Sequence, residues 1–135
     1  MIFKSNGFNL IELLITLSII SILMAMSYPL YQHHFIEERR LEAAHALMQL
    51  SLAMEKYQFE NNTYVGATLN QLKMEEYIAK NNYRLMILKA TSEDYLLAAL
   101  PLGTQALEDN DCGTLQLNSR GEKSVTGINK AEACW

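Results

Sequence analysis

Glu12 is the first residue of this sequence that demands a chemical explanation. It is the one charge within residues 8–30, a run otherwise almost wholly apolar or small. About 20 such residues are enough to cross a bilayer as a helix. A carboxylate inside such a span costs roughly 2.5–3.5 kcal/mol on insertion scales. That cost calls for a partner charge, or for relief by snorkelling and water near the start of the span.

Cys112 and Cys134 come next. In a reducing compartment such a pair would be free thiols or ligands; outside it, a disulfide is the natural state. The apolar N-terminal segment argues for export and so for the disulfide. Closing a loop of this size stabilises a fold by roughly 3–3.5 kcal/mol on the chain-entropy account.

The remaining reactive groups read more weakly. His33, His34, Glu38, Glu42 and His45 include a Glu-x-x-His spacing known from di-iron bundles. Such sites draw ligands from several helices, and only one helix is visible here, so a solvated helix face is the simpler reading. Glu108, Asp109, Asn110 and Asp111 form an oxygen-rich run of the kind that suits calcium. The neighbouring Cys112 offers a disulfide in its place. Arg120, Lys123 and Lys130 would make a small basic patch for DNA, but Glu122 and Glu132 sit among them without interleaved aromatics. There is no nucleophile–base motif, phosphate loop or metal-ligand spacing. Neither enzyme activity, cofactor nor metal is expected.

These residues need elements to position them. The chain has 135 residues and a net charge of -4, which suits one domain plus one protruding element and gives no bulk basicity for avid nucleic-acid binding. Beyond Pro29 the apolar residues continue at helical spacing: Ile36, Ala43, Leu47, Leu50, Met54 and Tyr57. Glu38, Arg39, Glu42, Gln49 and Lys56 occupy the other side. One helix over residues 8–60 is predicted, about 80 Å long at 1.5 Å per residue. Its first half needs burial by a membrane, and later by like helices. Pro29 removes a backbone donor and clashes with the preceding turn, so a kink is expected there. Asn61-Asn62-Thr63 matches a glycosylation acceptor and is read as coincidence.

Residues 61–79 read as a connecting loop with a short helix, since Thr68 and Gln71 have capping-box spacing. Residues 83–90 and 95–100, separated by Thr91-Ser92-Glu93-Asp94, read as a hairpin. Leu115 and Leu117 alternate with polar residues, Asn118-Ser119-Arg120-Gly121 supplies a turn, and residues 123–126 complete a fourth strand. The expected fold class is α+β: a long N-terminal helix packed on a four-stranded antiparallel sheet.

The stretch Gly7-Phe8-Asn9-Leu10-Ile11-Glu12-Leu13-Leu14, behind a short basic leader, resembles the start of a type IV pilin. Asn9 stands where that family usually has threonine. Pro29 within the helix and the tail with Cys112-Gly113-Thr114-Leu115 and Cys134-Trp135 extend the likeness, which is greatest to PilE-like minor pilins of Gram-negative bacteria. The resemblance implies a leader at residues 1–7, cut between Gly7 and Phe8 by prepilin peptidase, and N-methylation of Phe8. An ordinary signal-peptide cut near Ala25-Met26-Ser27 is the competing reading, and it gives Glu12 no use. The resemblance further implies that Glu12 meets the N-terminal amine of a neighbouring subunit and so sets register. Residues 8–30 would be the transmembrane and fibre-core half of the helix, residues 31–60 its amphipathic half, and residues 61–135 the head with a disulfide-bounded tail.

As a pilin, the chain would start as a single-pass prepilin in the inner membrane, its helix among lipids and its head in the periplasm. The inner-membrane assembly machinery would then pass it to an extracellular pilus of other pilin subunits. That pilus would serve adhesion, twitching motility or DNA uptake. Two alternatives remain. One is a type II secretion pseudopilin, a class that often binds calcium through an acidic loop where a disulfide would stand. The other is a pilus-displayed DNA receptor.

Overall fold

The computed structural model describes residues 7–135; the expected leader, apart from Gly7, lies outside the described residues. Helix α1 runs Leu10–Asn61. Asn9 precedes it at the N-cap position, a site that favours Asn. The Asn9 carbonyl accepts from the Glu12 and Leu13 N–H groups at 3.0 and 3.2 Å. At the other end, Asn62 adopts a left-handed backbone with φ 57° and donates its N–H to the Gln58 carbonyl at 2.7 Å. Asn tolerates that conformation better than most residues, which is why the pattern stops here.

The chain forms two compact units, one up to Phe35 and one from Ile36 to Trp135. The first holds only the early part of α1, with an 18-residue window of mean hydropathy 2.2 and none of that window buried. Thr16, Ser18, Ser21 and Ser27 each donate their hydroxyl to the carbonyl four residues earlier, at 2.7–2.8 Å. These polar side chains therefore ask nothing of their surroundings, as an apolar medium requires. Pro29 lies inside α1, so the Ala25 carbonyl loses its usual intrahelical donor.

In the second unit, five antiparallel strands form one sheet in the order β1-β2-β3-β4-β5. They are β1 (Tyr77–Ile78), β2 (Tyr83–Ala90), β3 (Tyr95–Pro101), β4 (Leu115–Asn118) and β5 (Lys123–Val125). Two short helices complete the unit, α2 (Gly103–Glu108) and α3 (Ala131–Cys134). The expected hairpin is β2–β3, with Leu85 opposite Ala99 and Ile87 opposite Leu97. Leu88 is an extra residue between Ile87 and Lys89, a bulge in the register.

The core joins Leu47, Leu50 and Met54 of α1 to Tyr83, Leu85, Leu97 and Leu115 of the sheet, all fully buried. Each such side chain contributes roughly 1.5–3 kcal/mol by leaving water. Tyr57, expected with them, is only half-buried at the edge of this face.

The expected four strands become five because Tyr77–Ile78 pairs with Arg84 and Tyr83. Two residues are too few to carry an alternation pattern. The helix expected within residues 61–79 is absent, although its capping box forms. Gln71 N donates to Thr68 Oγ1 at 3.3 Å and Thr68 N to Gln71 Oε1 at 3.2 Å. Lys73, with φ 55°, then ends the turn after one cycle.

Candidate functional site

Two of the residues singled out in the sequence, Phe8 and Glu12, stand at the start of the apolar helix. Phe8 is 75% exposed, and Glu12 sits in the first turn of α1. A carboxylate there complements the unpaired N–H groups of that turn. Among the described residues, Glu12 makes no ion pair. A Cβ added at Gly7 would meet nothing within 4 Å, so packing does not demand a glycine there.

A second apolar stripe lies on α1 within the other unit. Leu41, Met48, Leu52 and Phe59 are all exposed. Their spacing of seven, four and seven puts them on the side opposite the buried residues.

Cys112 and Cys134 are bonded, with S–S at 2.02 Å and both residues buried. The tail they close is tied back by backbone bonds. Thr126 N donates to Thr114 O at 3.1 Å, Gly127 N to Cys112 O at 3.0 Å and Asn129 N to Asp111 O at 2.9 Å. This segment passes so close that a Cβ on Gly127 would sit 2.1 Å from the Asp111 carbonyl oxygen. Only glycine fits that approach.

The acidic run does not act together. Asp109 turns inward to the Arg40 guanidinium, while Glu108, Asn110 and Asp111 stay exposed. Among the described residues no group of three His, Cys, Asp or Glu side chains could hold a metal ion. The set of His33, His34, Glu38, Glu42 and His45 is exposed along α1. The pseudopilin alternative looked for calcium in place of a disulfide, and here the disulfide is closed.

The basic tail differs from its sequence reading. The Lys123 ammonium lies 5.0 Å from the centre of the Trp135 ring, whose Nε1 donates to the Ser124 carbonyl at 3.3 Å. An aromatic thus does stand beside the lysine. It was hidden because the contact joins β5 to the chain end. Arg120 belongs instead to a surface groove of about 240 Å³ shared with Lys89, Asn118 and Ser119. Pairing of β2 with β3 and of β3 with β4 brings Lys89 and Asn118 into one row across Leu96. Asp94 also lines the groove and accepts from the Ser119 hydroxyl at 3.0 Å.

Three tyrosines are held neutral by the core. Burial, reinforced by the Glu55 carboxylate that its hydroxyl contacts, pushes Tyr64 up to about 12. Burial likewise raises Tyr83, with the Gln105 hydrogen bond opposing and Asp109 adding. Burial raises Tyr95 against an opposing bond from Ser51.

Residues 29–116 match the family described as type IV minor pilin ComP, DNA uptake sequence receptor. Residues 2–28 match the prokaryotic N-terminal methylation motif. Among solved structures, the chain is similar to the non-core minor pilin PilV of Neisseria meningitidis. The two share 23% identity over 72% of this chain and 93% of that one, with a TM-score of 0.49. No curated protein matches the chain.

Proposed function

The chain belongs to the type IV minor pilin ComP family, and from that we propose that it is cut between Gly7 and Phe8, methylated at Phe8 and polymerised through its apolar helix. It acts as a structural subunit and not as an enzyme. Prepilin peptidase cuts it at the inner membrane, where residues 8–30 lie among lipids. The assembly machinery then moves it into a fibre of other pilin subunits outside the cell. The carrying observation is an exposed apolar helix with a single carboxylate in its first turn and no ion-pair partner for it among the described residues. Leu41, Met48, Leu52 and Phe59 offer further surface for neighbouring subunits.

Glu12 sets register in this reading. Apolar contact is non-directional, so greasy helices alone would slide. An unpaired charge in an apolar bundle is penalised, so a subunit whose Glu12 misses a neighbour's Phe8 amine is disfavoured. Glu12→Ala should leave processed subunit in the membrane yet lower its share in sheared fibres, with Glu12→Asp intermediate. The ratio of fibre chain to membrane chain measures this. A wild-type ratio for Glu12→Ala refutes the register role.

The family's description also favours a second reading, in which the displayed head receives DNA. The groove with Lys89 and Arg120 offers two cations for phosphate binding, with Asp94 also in its lining. Removing one phosphate-neutralising cation should reduce the salt slope of DNA affinity by about one. Binding of duplex DNA by the head is compared for wild type, Lys89→Gln and Arg120→Gln over a salt series. Unchanged slopes in both variants would remove this groove from the reading.

A further inference from the structure

The far end of the apolar run carries groups that neither the helix packing nor the head uses. Tyr28, Tyr31, Gln32 and Phe35 stand three or four residues apart, so they share one side of α1. Gln32 Nε2 donates to the Tyr28 hydroxyl at 3.0 Å. The Tyr31 and Phe35 rings meet edge to face with centres 4.6 Å apart. At 3.6 residues per turn, His33 and His34 fall on the remaining sides of the helix. Both are exposed, and among the described residues neither makes an ion pair. Residues 28–35 thus ring the helix within about two turns.

The length of the apolar run places this ring. A hydrocarbon core of about 30 Å takes about 20 helical residues. Counted from Phe8 the core ends at Tyr28; counted from Glu12 it ends at Gln32. On either count His33 falls in the headgroup layer, roughly 5–8 Å deep, and His34 in that layer or at its rim. Tyrosine rings, apolar in body and polar at the tip, settle at the same boundary.

We propose that residues 28–35 form an interfacial collar that takes anionic phospholipid headgroups, the tyrosines fixing its depth and His33 and His34 receiving the phosphates. A protonated imidazole donates from both nitrogens and carries a charge; a neutral one keeps a single donor and no charge. The grip is therefore present at pH values below the ordinary histidine range, near 6.5, and lost above it. Glu37 and Glu38 stand four residues beyond His33 and His34, and Arg39 and Arg40 follow, with Arg40 engaged by Asp109. Both glutamates are exposed and follow the cation, the weaker order for a helical pair, so they compete little with a layer of phosphates. Lipid suits the collar better than free phosphate because the tyrosines mark an apolar boundary at the same level. The collar rests on reading residues 8–30 as a membrane span. Loss of the histidine charge then loosens the outer end of that span.

The test uses the full chain in lipid nanodiscs, one set of phosphatidylcholine alone and one that also contains phosphatidylglycerol. Imidazole NMR shifts read the protonated-to-neutral ratio of each histidine at pH 7. By linkage, a lipid that favours the charged ring favours its proton. The ratio at His33 and at His34 should be about fivefold higher in the anionic discs, the effect of one cation at an anionic surface. His45, the third histidine, is exposed on the same helix about 18 Å farther along than His33, beyond the screening length, and should keep its ratio. Tyr28→Leu combined with Tyr31→Leu should shrink the difference at His33 and His34; a full difference in that variant overturns the depth-setting role of the tyrosines. Equal ratios in the two disc types overturn the proposal, as does an equal response of His45. The same rise on adding inorganic phosphate to the neutral discs also overturns it, because the ligand would then be a free anion. Exchange protection of the Leu14 to Met24 amides reads the span separately. Protected amides with unmoved histidines defeat the collar alone, while unprotected amides defeat the membrane reading beneath it.

Discussion

Gly127→Ala isolates the close packing of the disulfide-bounded tail. A Cβ at that position would stand 2.1 Å from Asp111 O, 2.4 Å from Asp111 C and 2.7 Å from Cys112 C. All three are backbone atoms, so no side chain can swing away. Moving the tail out by about 1 Å strains or breaks the Gly127–Cys112 and Asn129–Asp111 backbone bonds, each contributing roughly 0.5–1.5 kcal/mol net. Overpacking adds roughly 1–3 kcal/mol. The expected loss is therefore about 2–6 kcal/mol. Gly121→Ala is the proper comparison. Gly121 has φ 76° and nothing within 4 Å of an added Cβ, so it should lose only the left-handed backbone cost of roughly 1–2 kcal/mol. Urea unfolding of a head fragment beginning near Ile36, followed by circular dichroism, gives both values. If Gly127→Ala costs no more than Gly121→Ala, the close approach of residues 126–129 to residues 111–114 is not rigid and the reasoning fails.

Cys134→Ala should lower head stability by about 2–5 kcal/mol, read from the same unfolding curves with and without reductant; equal curves for variant and wild type would show the bond to be energetically idle. Tyr64, Tyr83 and Tyr95 have folded-state values raised above the ordinary tyrosine value. Their contribution is complete below about pH 10 and lost as pH rises through the folded values, from about 10 to 12 for Tyr64. Melting temperature should accordingly be flat to about pH 9 and fall beyond it; Tyr64→Phe should soften that fall, and a fall beginning near neutrality would contradict it. Protein from the cell surface should begin at methylated Phe8 by N-terminal mass spectrometry. A bulky residue at Gly7 should leave uncut precursor in the membrane, and a mature start near Ser27 would defeat the processing scheme.

Much of the fold was legible in residue order because its signals are local. The helical spacing of Ile36, Ala43, Leu47, Leu50 and Met54 named the buried face of α1. The alternation in residues 83–90 and 115–118 named strands β2 and β4. The helical apolar spacing, which stops after Tyr57, placed the helix end near residue 60, close to the observed end at Asn61. Glu12 stood out because a charge in an apolar run is conspicuous without any coordinates. Other features needed the folded chain. Strand β1 exists because β2 is there to pair with it, since two residues carry no period. The six-residue helix α2 has no side-chain cap of its own and is tied through Gln105 and Asp109 to α1, residues 69 positions away. In sequence, Asp109 is one member of an acidic run; in space, it alone is buried against an arginine. Lys89 and Arg120 become neighbours through strand pairing, and Lys123 meets Trp135 where the chain end folds over β5. Periodicity and composition report what a residue prefers within its own turn or strand. Which distant groups share a site depends on loop closure and strand register, and those are decided by the core as a whole.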